Sequence, residues 1–265
     1  AALQAVQAWM RAVPDSRDAN RYRLQILIAL NRLSETVEPL RFEIDATPMD
    51  ERAGIILALP RLYARSSDKT QAARAVESAL LGAREAASTS TAAWTTIGRM
   101  RLLAGDTSGA LDAVDRAQQT DPAADAPVLL ALEIMRPEQP LAEQLVRRYL
   151  SASPLPQVRL AYVRALLRSG RTEEARAQLT HLTRDQPAFV DGWLILGQLQ
   201  LQEERLQEAQ AALERYLSLI ENQSAARRAD QGAVQAYLAL AQISEKQKNF
   251  AQAQFWLSKV DRSEE

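Results

Sequence analysis

The chain has no cysteine and a single histidine, His181. Without cysteine there is no disulfide scaffold, no Cys-ligated zinc, no iron–sulfur centre and no thiol nucleophile. One histidine rules out multi-His metal sites and most His-dependent acid–base schemes. Glycine is scarce, 9 in 265 residues, which leaves few turns that need positive φ and argues against a many-stranded β fold. Neither sign of charge dominates: 32 Lys and Arg stand against 33 Asp and Glu. A nucleic-acid binder carries a basic excess or a basic run, and this chain has neither. No apolar run reaches the roughly 18–20 residues that span a bilayer. Segments such as Ile55–Leu59 are core-sized. The opening AALQAVQAWMRAVPDS has no cationic start and no long apolar stretch, so it is not an intact signal peptide, although one removed from a precursor stays open.

What is present is an ordinary soluble composition, 47% hydrophobic and 25% charged, with abundant alanine. Lys69, Lys246, Lys248 and Lys259 are the lysines, and the remaining basic residues are arginine. Arginine with alanine in this excess points, by composition alone, to a bacterium with a GC-rich genome. The sequence also repeats itself. Gln157–Pro187 and Asp191–Glu221 align with a period of 34, Ala175 on Ala209, Leu179 on Leu213 and Tyr162 on Leu196. A third copy, Ala92–Pro122, places Trp94, Ile97, Gly98 and Ala110 on Trp193, Leu196, Gly197 and Ala209.

The pattern W-x2-L-G-x2-Y, then A-x3-F-x2-A, then P resembles the tetratricopeptide repeat (TPR). Trp94, Ile97, Gly98, Ala110, Val114, Ala117 and Pro122 carry it once, and Trp193, Leu196, Gly197, Ala209 and Leu213 carry it again. The resemblance implies an all-α, right-handed superhelical solenoid of antiparallel helix pairs. Small residues let the two helices of a pair close: Gly98 and Gly197 on the first helix, and Ala72, Ala110, Ala142, Ala175, Ala209 and Ala253 on the second. Gly105, Gly109 and Gly170 mark turns, and Pro after the second helix stops it.

Extending the register predicts one solenoid over 1–265. Residues 1–16 form a lone second helix, and units follow at about 17–50, 53–86, 91–124, 125–155, 156–189, 190–223 and 234–265. A helical insert is expected at 224–233. The half unit at the start and the absence of a polar cap read as a fragment of a longer superhelix. The alternative is two domains joined at Ser88–Thr91, the most linker-like stretch. Pro60 stands where the motif wants a small residue and is expected to perturb its helix.

Candidate chemistry reduces to structure at each point. His181 has no second His or Cys to share a metal. Glu173 and Glu174 enter the first turn of a helix, where negative charge is favourable, and Glu203 and Glu204 lie near another turn. Gly105–Gly109 is not followed by the Lys-Ser/Thr of a phosphate loop, and Thr107 or Ser108 is expected to cap the next helix. Trp94 and Trp193 are expected to fill space between helices, while Trp9 and Trp256 are left open. No enzyme activity, cofactor or metal is expected.

The remaining reading is a non-enzymatic scaffold that binds a peptide or partner segment. The resemblance implies that first helices line a concave groove. At position 9 of successive units stand Gln25, Arg61, Arg99, Glu133, Arg164, Gln198 and Gln242, and position 13 adds Arg65, Arg168 and Gln202. Arginine forks suit carboxylates and carbonyls, so the middle of the groove would favour acidic partners. Leu160, Leu194 and Leu238, all at position 5, would add an apolar stripe for an amphipathic helix or hydrophobic peptide. A Lys/Asn carboxylate clamp of the co-chaperone type is missing, since Thr95, Leu160 and Leu194 take its place. The alternatives are the TPR portion of a larger envelope-assembly, polysaccharide-export or glycosyltransferase protein, and a solenoid that self-associates through uncapped ends. No nucleic acid and no direct membrane insertion are expected. An exported or envelope-associated location is preferred to the cytoplasm.

Overall fold

A computed structural model describes residues 2–152, 155–221 and 231–261. Among the described residues there are 16 α-helices, one 3₁₀ turn and no strand. The chain divides into two compact units, 1–154 and 155–265. The first holds α1 (Ala2–Ala12), α2 (Arg17–Ala29), the 3₁₀ turn Leu33–Thr36, α3 (Val37–Asp45), α4 (Met49–Leu62), α5 (Lys69–Ala79), α6 (Leu81–Glu85), α7 (Ser90–Leu103), α8 (Thr107–Thr120), α9 (Asp125–Ile134) and α10 (Pro140–Ala152). The second holds α11 (Pro156–Arg168), α12 (Thr172–Asp185), α13 (Val190–Gln202), α14 (Leu206–Glu221), α15 (Gln231–Lys246) and α16 (Phe250–Asp261). Helices pack in consecutive pairs, such as α7 with α8, α11 with α12 and α13 with α14. The insert expected at 224–233 lies outside the described residues except for 231–233.

The inter-helix turns repeat one local solution. A residue with positive φ follows the first helix of five pairs: Asn31, Gly105, Gly170, Glu204 and Lys248. After α7, the Gly105 N–H bonds the Leu102 carbonyl and the Asp106 N–H bonds the Arg101 carbonyl, which closes the helix end. Glycine meets the demand for φ of 85° at Gly105 without steric cost. Helix starts are capped by side chains: Ser16 accepts from the Ala19 N–H, Asp68 from Gln71 and Asp106 from Gly109. The cap of α8 is thus Asp106, not Thr107 or Ser108, because its carboxylate reaches the N–H three residues on. Gly109 sits inside the first turn of α8 rather than in the turn before it, and a Cβ there would meet the Asp106 carboxylate.

The alanines expected at close contacts are buried. Ala72, Ala110, Ala142, Ala175 and Ala209 are 0% exposed, and Ala253 is 4%. A Cβ added to Gly98 would lie 3.1 Å from the Ala110 carbonyl oxygen, so the pair closes onto bare backbone. The fully buried Tyr63, Tyr149 and Tyr162 fill the wider gaps.

One alternative needs correction. Ser88–Thr91 is not a break between domains. Thr89 and Ser90 are buried, the Thr89 hydroxyl bonds the Ala83 carbonyl at 2.8 Å, and α7 packs on α4 and α5 across this stretch. Pro60 perturbs its helix without ending it: α4 runs through it to Leu62. The lost N–H frees only one carbonyl, and a neighbouring side chain takes it.

Candidate functional site

In the first unit the first helices α4, α7 and α9 lie side by side. Their position-5 residues are Leu57, Thr95 and Leu129, and their position-9 residues are Arg61, Arg99 and Glu133. Leu57 and Leu129 are 42% and 45% exposed, whereas Thr95 is 7%. The short threonine between two leucines leaves a cleft of about 490 Å³. Ala53 and Leu57 form one wall, Thr91 and Thr95 the floor, and Asp121 and Asp125 the far end. The Thr95 hydroxyl is spent on the Thr91 carbonyl at 2.7 Å, so the floor offers shape more than free hydrogen bonds. Arg61 is one turn along α4 from Leu57 and exposed, and Arg65 is exposed in the turn that follows. Neither makes an ion pair with the described residues. Arg99 does, bonding Glu133 one repeat away. That neighbour neutralises one of the three cations expected here.

In the second unit Arg164 and Arg168 are exposed on α11 and make no ion pair with the described residues. Gln198 donates to Gln235 at 3.0 Å, which ties α13 to α15, while Gln202 and Gln242 are exposed. The apolar stripe is not continuous. Leu160 is 4% exposed and unavailable, Leu194 is half-buried, and only Leu238 is open at 47%. The register located these positions but could not say which neighbours cover them. Leu57 and Leu129 share that register and were within its reach.

The tryptophans expected to fill space do so on one side only. Trp94 and Trp193 are half-buried against their cores. The guanidiniums of Arg84 and Arg116 sit 5.1 and 4.7 Å from the Trp94 ring centroid, and Trp193 Nε1 donates to the Pro187 carbonyl at 3.0 Å. Trp9 is 40% exposed beside Tyr22, and Trp256 stacks on Tyr237 at 6.1 Å. The carboxylate pairs are engaged in ion pairs: Glu173 with Arg176, Glu174 with Arg171, Glu203 with Arg176 and Glu204 with Lys246. The Lys246 ammonium holds the Glu204 carboxyl below its ordinary value. His181 is an exposed helix residue beside Asp185, whose carboxyl the Arg184 guanidinium holds low. Among the described residues no group of three His, Asp or Glu could hold a metal, and no helix is long and apolar enough to cross a membrane.

Residues 160–224, which begin within α11 and extend three residues past the end of α14, match the tetratricopeptide repeat family model. No curated protein matches the chain. Among solved structures, the C-terminal part of a TPR repeat-containing protein from Cytophaga hutchinsonii is similar with a TM-score of 0.58 at 16% identity, covering 91% of this chain and 93% of that one. YrrB, described as a TPR protein with an unusual peptide-binding site, is similar at 15% identity with a TM-score of 0.49, covering 72% and 93%. PilF of Pseudomonas aeruginosa is 22% identical with a TM-score of 0.45, covering 69% and 78%. Residues 160–224 thus carry the tetratricopeptide repeat pattern, and the paired helices have the fold seen in solved structures of tetratricopeptide repeat proteins. Such proteins are generally protein–protein interaction scaffolds and typically non-catalytic.

Proposed function

We propose that this protein binds an extended segment of a partner protein across the first helices of its repeats. The observation that carries this reading is the cleft between α4, α7 and α9, with exposed Leu57 at its wall and Arg61, unpaired among the described residues, one turn beyond. Apolar contact at Leu57 would supply affinity, and the Arg61 and Arg65 guanidiniums would select acidic side chains or a carboxylate. Arg164 and Arg168 offer the same chemistry in the second unit.

The test is affinity capture with the full chain and a Leu57→Asp, Arg61→Glu variant. Both residues are exposed, so the variant should keep its helical circular dichroism. It should lose partners that the parent chain retains, while Arg74→Glu on the second helix of the same pair should keep them. An identical partner set for all three would overturn the reading.

A second reading is self-association. Phe250 and Leu257, two turns apart on one side of α16, are 65% and 41% exposed, and Phe255 on another side is 46% exposed, apolar surface that a second copy could cover. Sedimentation should then show mass rising with concentration, and a constant monomer mass would remove this reading.

A further inference from the structure

The first unit has a second concavity, about 280 Å³, among α2, α3 and α4. Its walls are apolar: Leu24, Leu40, Ile55, Leu59 and Leu62. One end is polar and holds Arg21, Gln25 and Glu43. The size lies near the low end of ligand pockets, about 300–1,000 Å³, which suits one side chain better than a cofactor.

Glu43 defines the chemistry. It is 7% exposed, and its Oε1 accepts from Arg17 Nη2 at 2.8 Å and from Arg21 Nε at 2.9 Å. Its Oε2 is buried and has no hydrogen-bond partner among the described residues. A buried carboxylate oxygen without a donor is costly, and a ligand that brings a donor recovers that cost. Two guanidiniums already face one carboxylate, so the site does not call for another cation. It calls for a neutral donor on an apolar body. Indole fits best, because it carries one N–H donor and no acceptor that would be left unsatisfied.

We propose that this cleft is an anchor pocket for a tryptophan side chain of the bound partner, with the indole N–H donating to Glu43 Oε2. The proposal rests on the reading of the chain as a binder of partner segments. Arg17 and Arg21 both stay on Oε1, which leaves Oε2 for the indole. Gln25 at the rim meets the partner's backbone.

The test uses the full chain with labelled Leu and Ile methyl groups, titrated with indole and with 1-methylindole, which keeps the apolar body and removes the donor. Indole should shift the Leu24, Ile55 and Leu62 methyl signals saturably. 1-Methylindole should bind about tenfold more weakly or worse, the loss expected for one hydrogen bond to a charged acceptor. Ala58→Phe fills the cleft from its lining and should abolish the shifts. Equal binding of the two probes, no saturable shift, or shifts that survive Ala58→Phe would each overturn the proposal. The titration reads the pocket and the Leu57, Arg61 capture experiment reads the face between α4 and α9, so failure of one is distinguishable from failure of the other.

Discussion

The hydroxyl of Thr96 on α7 donates a 2.8 Å hydrogen bond to the backbone carbonyl of Ile56 on α4. Ile56 stands four residues before Pro60, so its carbonyl is the one that a proline N–H cannot serve. Both residues are almost fully buried. A helix defect in one repeat is repaired by a side chain of the next.

Replacing Thr96 with Val should therefore destabilise the protein by about 1–3 kcal/mol, the cost of a buried carbonyl left without a donor. In a Pro60→Ala background an N–H is restored and the same substitution should cost clearly less. A double-mutant cycle in urea measures the coupling. Equal costs in both backgrounds would refute the repair.

Alkaline pH should reveal Tyr63. It is fully buried, and its Oη donates to Thr36 Oγ1 at 2.7 Å. Burial pushes its phenol above the ordinary 10.0, opposed in part by the Thr36 bond. Unfolded Tyr63 loses its proton near pH 10 while the folded residue keeps it to higher pH. In that window the native state binds the extra proton, so its contribution is complete below about pH 10 and is lost as pH rises through the folded value. Urea midpoints from about pH 9 to 11 should fall more steeply for the parent chain than for Tyr63→Phe. Parallel pH profiles would count against this account.

Two glycine replacements should differ in sign. A Cβ at Gly197 would lie 2.7 Å from Leu213 Cγ and 3.3 Å from the Ala209 carbonyl oxygen. Overpacking at about 1–3 kcal/mol outweighs a helix-propensity gain of about 1 kcal/mol, so Gly197→Ala should lower stability. Gly54 in α4 is exposed and has nothing within 4 Å of the added atom. Gly54→Ala should raise stability by about 0.5–1 kcal/mol. Thermal denaturation of the two variants decides the matter.

Trp193 packs against the core of the second unit while part of its ring meets solvent. Trp193→Ala should cost about 2–3 kcal/mol, less than the roughly 3–5 kcal/mol of a fully buried tryptophan. A loss below about 1 kcal/mol would mean that the ring contributes little to packing and is free for a partner.

The pairing of helices was legible because its signals are local. Ala110, Ala175 and Ala209 recur at one point of a short period, and each is needed for a contact within its own pair. Gly105 and Gly170 showed where turns needing positive φ fall. Glu204 and Lys248 adopt the same conformation without a residue type that announces it. The candidate face was half legible. The register found Arg61 and Arg65, which are open, but also Leu160, which is buried. It could not show that Glu133 neutralises Arg99, because the two meet only when adjacent repeats pack.

By itself the sequence determined a stack of helix pairs and the small residues that let each pair close, since those depend on spacing within one repeat. The tertiary structure alone decided which surfaces remain available. Exposure of Leu57, burial of Leu160, the unpartnered oxygen of Glu43 and the repair of Ile56 by Thr96 all depend on side chains from a neighbouring helix. A repeat period specifies where a residue sits on its helix, and only the packed neighbour determines whether that position is covered, paired or free.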